Sequence, residues 1–145
     1  MIKTNYEEEL NRKGKFTYTC SGVSMLPLLR QHKDLFTIEK KQGRCKKYDV
    51  VLYKCPPKSY VMHRVVEVRE NDYVILGDNC LNKEYGIRDE DIIGVMTSFV
   101  RDGKEYSVSH RGYRMYAAMW YFLYPLRKAW RKCKSKCRRI LRKDR

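Results

Sequence analysis

Apolar and polar positions change over quickly through the first two thirds of the chain, a rhythm of strands rather than helices. Residues 15–19 (Lys-Phe-Thr-Tyr-Thr) form a strand-like run, and 35–39 (Leu-Phe-Thr-Ile-Glu) alternate as a half-buried strand does. Residues 49–53 (Asp-Val-Val-Leu-Tyr) are a continuous apolar run suited to an interior strand. Further strands are expected over 60–69, 73–76 and 91–96, with Glu70-Asn71-Asp72 as the hairpin signal between the first two. Cys55-Pro56-Pro57-Lys58 and Arg101-Asp102-Gly103-Lys104 read as turns, and a basic loop passes through Gly43. With no helical period between these runs, the pattern predicts a mainly β fold, a compact, coiled antiparallel structure.

Helical patterning is confined to the two ends. Residues 6–13 suit a short helix, with acids early, Arg12 and Lys13 late and Gly14 as the stop. Residues 113–130 are rich in Tyr, Trp, Met and Leu, and 131–145 are almost entirely basic, with Pro125 expected to kink or restart the helix. The chain therefore divides into an N-terminal helix (1–14), a β domain (15–110) and an aromatic, basic helical tail (111–145).

At 145 residues the length suits one domain. The formal charge of +15 is concentrated: residues 126–145 hold eleven Lys or Arg against one Asp. Residues 1–9 carry no apolar signal-peptide region, and no stretch reaches the ~20 apolar residues of a membrane span. Six cysteines without an export signal read as reduced thiols, which places the chain in the cytoplasm, peripheral to a membrane. Cys133 and Cys137 could stand one helical turn apart, but no His or second pair completes a metal site, so neither metal nor cofactor is expected.

The candidate chemistry begins at residues 20–28 (Cys-Ser-Gly-Val-Ser-Met-Leu-Pro-Leu). Gly22 permits a sharp turn, Pro27 fixes the backbone after it, and Met25 is apolar, so Ser24 would present its hydroxyl on a tight turn. His63 lies on the expected 60–69 strand and shares a face with Val61 and Val65; a core histidine or a general base fits that setting. A third block, Gly77-Asp78-Asn79, follows the 73–76 strand.

Ser24-Met25-Leu26-Pro27, His63-Arg64-Val65 and Gly77-Asp78-Asn79, in this order, resemble the signal peptidase I-like serine peptidases, whose clan also holds the LexA-type self-cleaving proteins. The resemblance covers roughly residues 16–96, and histidine at 63 resembles the endoplasmic-reticulum, archaeal and sporulation-type branch. It implies a β-fold of that family and hydrolysis of an extended, signal- or leader-like peptide. Ser24 would be nucleophile and His63 general base and acid, with Gly22, Met25, Pro27, Arg64, Gly77 and Asn79 shaping the site. In histidine-type relatives the orienting carboxylate lies just beyond Gly-Asp-Asn, where this chain has Glu84. Glu84 and Asp78 both stand as candidates to orient His63. A serine two residues before the nucleophile, a side-chain oxyanion donor in some relatives, is here Gly22, so backbone N–H groups would serve.

The tail admits three readings: a solvated terminus, a nucleic-acid contact through phosphate neutralisation, and an anchor on an anionic membrane surface. The last is adopted, since no nucleic-acid-binding motif accompanies the charge, with a core-packing helix as the competing reading of the aromatic part. Tyr116, Trp120, Tyr121, Phe122, Leu123 and Tyr124 would enter the headgroup region, and Arg127, Lys128, Arg131 and Lys132 would meet anionic lipid. The alternatives to a peptidase acting on a peptide or protein substrate are a LexA- or UmuD-like self-cleaving regulator and a non-catalytic β-domain tethered by its tail. The first lacks the usual Ala-Gly or Cys-Gly bond and a lysine base.

Overall fold

The structure, a computed structural model, describes residues 6–56 and 59–143. Eight strands make one antiparallel sheet: β1 (Lys15–Thr19), β2 (Leu35–Lys40), β3 (Val50–Cys55), β4 (Ser59–Val68), β5 (Tyr73–Leu76), β6 (Glu84–Ile87), β7 (Ile92–Arg101) and β8 (Lys104–Ser107). They lie in the order β1-β2-β7-β3-β4-β5-β6, with β8 paired to β7. The ten-residue β7 is the shared member. Its Val95 pairs with both Glu39 of β2 and Val51 of β3, while its Val100 pairs with Leu35 of β2 and Glu105 of β8. Register breaks at Thr37/Ile38, Leu52/Tyr53 and Val65/Glu67 accompany the bending of the sheet.

Apolar side chains cover both faces. Leu52 belongs to a cluster with Phe36, Ile38 and Met96, whereas its neighbours Val51 and Tyr53 join Val65 and Ile75 in a second one. That two-sided burial explains why β3 is a continuous apolar run rather than an alternation. The helix α1 (Tyr6–Lys13) adds Leu10 to the first cluster and ends at Gly14, whose N–H reaches the Leu10 carbonyl at 2.8 Å.

Two helices follow the sheet, α2 (Arg111–Phe122) and α3 (Tyr124–Lys143). Pro125 falls in the first turn of α3, where a missing N–H costs nothing, so it restarts the helix. Among the described residues, no helix is long and apolar enough to cross a membrane.

The expected strands are present, and Arg69 N–H to the Asp72 carbonyl (2.9 Å) closes the β4–β5 hairpin. Two strands were not legible. Every residue of β8 is exposed, and β6 (Glu-Tyr-Gly-Ile) is four residues long with no buried position, so neither carries an apolar signature. Of the expected 55–58 turn, Cys55 ends β3 and Pro56 is in a turn; Pro57 and Lys58 lie outside the described residues, as do residues 1–5 and 144–145 of the terminal segments.

Candidate active site

Ser24 sits among successive turns that link β1 to β2. Gly22 takes φ +148°, a conformation that disfavours any side chain, so the expected sharp bend depends on glycine. Beyond Ser24, Met25, Leu28 and Leu29 are buried in the first core cluster and hold the turn to the sheet. A polar clamp acts on the same segment. The Arg101 guanidinium, at the end of β7, donates to the carbonyls of Pro27 (2.9 Å) and Leu28 (2.7 Å) and to Asp34 (2.8 Å). Asp34 is fully buried and also receives the Arg30 guanidinium at 2.7 Å. Burial pushes its carboxyl upward, but the hydrogen bonds from Arg30 and Arg101 prevail and bring its pKa down to about 2. No local motif announces this clamp, because Arg101 and Asp34 are 67 residues apart.

His63 projects from β4 opposite Val51 and is buried. Its Nδ1 is 2.8 Å from Glu84 Oε1 and 3.2 Å from the Tyr53 hydroxyl, which itself donates to Glu84 Oε2 at 2.6 Å. An ionised carboxylate only accepts, so Nδ1 carries the proton and Nε2 keeps its lone pair, the tautomer a general base requires. Burial lowers the imidazole pKa below its ordinary value, against the upward pull of the Glu84 charge, so the ring is neutral at pH 7. Burial and the Glu84 carboxylate raise the Tyr53 pKa, so that hydroxyl stays a donor.

The two halves are joined by the turn at 77–80. A Cβ on Gly77 would lie 2.9 Å from His63 Nε2 and 2.6 Å from Cys80 Sγ, so the ring approaches closely because residue 77 has no side chain. Two residues on, Asn79 N–H donates to the Ser24 carbonyl (2.8 Å) and Asn79 Nδ2 to that of Val23 (3.0 Å). Cys80 Sγ lies 4.0 Å from His63 Nε2. Among the described residues, no hydrogen bond joins the Ser24 hydroxyl to His63. The serine turn is anchored in the first core cluster and His63 lies against Tyr53 of the second, with the 77–80 turn as the bridge.

Of the two carboxylates expected at His63, Glu84 makes the contact. Asp78 is turned onto Arg64, with Nε–Oδ1 and Nη2–Oδ2 both at 2.7 Å and both side chains buried. The Tyr116 hydroxyl adds a bond to Asp78 at 3.2 Å, and Arg64 also donates to the Tyr48 carbonyl and the Tyr113 hydroxyl. Arg64 and Asp78 thus tie β4 and the 77–80 turn to α2.

A cleft of about 230 Å³ opens beside Ser24, walled by Gly22, Met25, Leu52, Tyr60, Val61 and Met62. Sequence reasoning missed Tyr53, Cys80, Arg101 and Asp34; the only local signal was the proximity of Cys80 to the Gly-Asp-Asn block. Among the described residues, no group of three or more His, Cys, Asp or Glu is arranged to hold a metal ion.

Several tail residues expected at a membrane face the body instead. Trp120 Nε1 donates to the Asp78 carbonyl (2.9 Å), and the Arg127 guanidinium stacks 3.9 Å from the Trp120 ring while donating to the same carbonyl. The Tyr121 hydroxyl accepts from Lys83 (2.9 Å), Tyr124 is buried, and Arg131 donates to the Asn79 carbonyl (2.7 Å). The reason is that the carbonyls of Asp78 and Asn79, in a turn, take their donors from the tail. Tyr116 and Leu123 are half-buried, as is Lys128 beside the Tyr124 ring, while Phe122 and Lys132 are exposed. Comparison of the chain with protein families, curated proteins and solved structures finds no match.

Proposed function

We propose that the chain is a serine endopeptidase of the signal peptidase I type, in which Ser24 attacks a peptide carbonyl and His63 handles the proton. The observation that carries this reading is the Glu84–His63 contact: Nδ1 is held by a carboxylate and Nε2 is directed to a turn that is itself hydrogen-bonded to the serine segment. Catalytic hydrogen bonds are often open before substrate is bound, and here the Ser24 hydroxyl would close on Nε2 in the complex.

In the first half-reaction, Ser24 Oγ bonds to the carbonyl carbon as its proton passes to His63 Nε2. Glu84 stabilises the resulting imidazolium through Nδ1–H, and Tyr53 keeps the carboxylate in place. Backbone N–H groups around Ser24 would serve the developing oxyanion, since Gly22 offers no side-chain donor. The tetrahedral intermediate collapses, His63 returns the proton to the leaving amine, and a water molecule hydrolyses the acyl-serine by the same steps. The cleft beside Ser24 would receive residues next to the cut bond; small side chains there are what the resemblance to the signal peptidase I-like enzymes implies.

A second nucleophile deserves comparison, because Cys80 Sγ is 4.0 Å from Nε2. Burial and the charge of Glu84 raise its pKa, so it remains a thiol, the less reactive form. Purified wild type, Ser24→Ala, Cys80→Ala and His63→Ala proteins, assayed on extended peptides, separate the readings. Loss of cleavage in the Ser24 and His63 variants is expected, with Cys80→Ala active. Wild-type rates in Ser24→Ala would sink the serine assignment.

A further inference from the structure

The helices α2 and α3 leave one apolar face uncovered. Met115, Met119, Phe122, Leu126 and Trp130 are 61% to 80% exposed. Their spacings of four, three, four and four residues place them on one helical side. Backbone bonds from Leu123 N–H to Met119 and from Arg127 N–H to Leu123, both 3.0 Å, carry the helical pattern across the junction. A groove of about 830 Å³, whose walls include Leu26, Pro27, Asn79, Leu126 and Trp130, lies between this seam and the Ser24 turn.

The charge around the seam has one sign. Residues 111–143 contain twelve Lys or Arg and no Asp or Glu. In the two turns after Trp130, Lys132 and Lys136 project to one side of the seam's line and Lys134 and Arg138 to the other. A row of exposed Met, Phe, Leu and Trp that runs on into a cluster of cations fits a surface that is apolar below and anionic above.

We propose that this seam lies in the interface of an anionic lipid bilayer, without crossing it, and holds the Ser24 turn against the membrane. A membrane-borne peptide would then be the substrate; that clause rests on the peptidase reading, whereas the bilayer contact does not. Nucleic acid fits the seam less well, since phosphates would engage the cations and leave Met115, Met119 and Leu126 without burial. A second copy fits less well again, because seam-to-seam contact would bring two such basic clusters together.

The test is flotation of the full chain with vesicles of phosphatidylcholine alone or with about one third phosphatidylglycerol. Wild type should bind the anionic vesicles at least about tenfold more strongly than the neutral ones, and less strongly as salt is raised. The double variant Leu126→Glu, Trp130→Glu should lose about tenfold or more of that binding, with its thermal melt unchanged because both side chains are exposed. Equal binding to neutral vesicles, or undiminished binding by the variant, would overturn the proposal. So would a solution dimer that the variant dissociates, or binding to duplex DNA without binding to vesicles. Ser24→Ala should float as wild type does. Flotation without Ser24-dependent cleavage removes the peptidase reading alone, and cleavage of a soluble peptide without flotation removes the membrane contact alone.

Discussion

Glu84 Oε1 stands 2.8 Å from His63 Nδ1, and the same carboxylate takes the Tyr53 hydroxyl on its other oxygen. For the proposed peptidase, Glu84→Gln should lower kcat by about 10²–10⁴, the range for a histidine base deprived of its carboxylate. The pH dependence has a definite sign. Catalysis needs the neutral ring, and burial puts the His63 pKa below 6.5, so the rate should be flat above neutrality and fall in acid. Because the Glu84 charge raises that pKa, its removal should move the acid limb to lower pH while the plateau drops. A limb that moves up in pH–rate measurements would contradict the assignment.

Asp78 should behave differently from Glu84, although both are acids near the same ring. Asp78→Asn leaves the buried Arg64 charge without its partner, a loss of about 3–5 kcal/mol in comparable buried pairs. Urea denaturation should show that loss for Asp78→Asn and little change for the half-exposed Glu84→Gln.

The Asp34 clamp predicts an acid transition of its own. Its folded pKa of about 2 is below the 3.8 of an ordinary aspartate, so the clamp stabilises the protein fully above that value. The contribution is lost as the pH falls from 3.8 toward 2. Near-ultraviolet circular dichroism should report loosening of the serine turn in that window, and Arg101→Ala should bring it to higher pH.

Gly77 is predicted to tolerate no side chain. Its alanine variant would drive a methyl group against His63 and Cys80 at 2.9 and 2.6 Å, an overpacking cost of about 1–3 kcal/mol with displacement of the ring. Thiol-specific alkylation of Cys80 should block the same space and abolish cleavage in wild type but not in Cys80→Ala. Peptide mass mapping of the labelled thiols identifies the residue responsible.

The chain's legible features are those with a local cause. Val50 to Tyr53 is apolar at every position because both faces of β3 are covered, and that run could be read directly. Gly22 and the residues after it specify a bend whatever packs against it. The exposed β8 and the short β6 escaped notice because they exist through pairing with β7 and β5, and a paired backbone leaves no apolar trace.

Local order thus determined the antiparallel β-character, the tight serine turn, the histidine on its strand and the basic tail, since each follows from neighbouring residues and their periodicity. Only tertiary structure decided which acid faces His63, because β6 must dock on β5 before Glu84 can reach it, while Arg64 takes Asp78. It also decided which side of the tail is free: the carbonyls of Asp78 and Asn79 draw Trp120, Arg127 and Arg131 inward. The seam from Met115 to Trp130 therefore faces outward. Such choices depend on contacts between residues far apart in sequence, where strand register and burial, rather than local propensity, fix the partner.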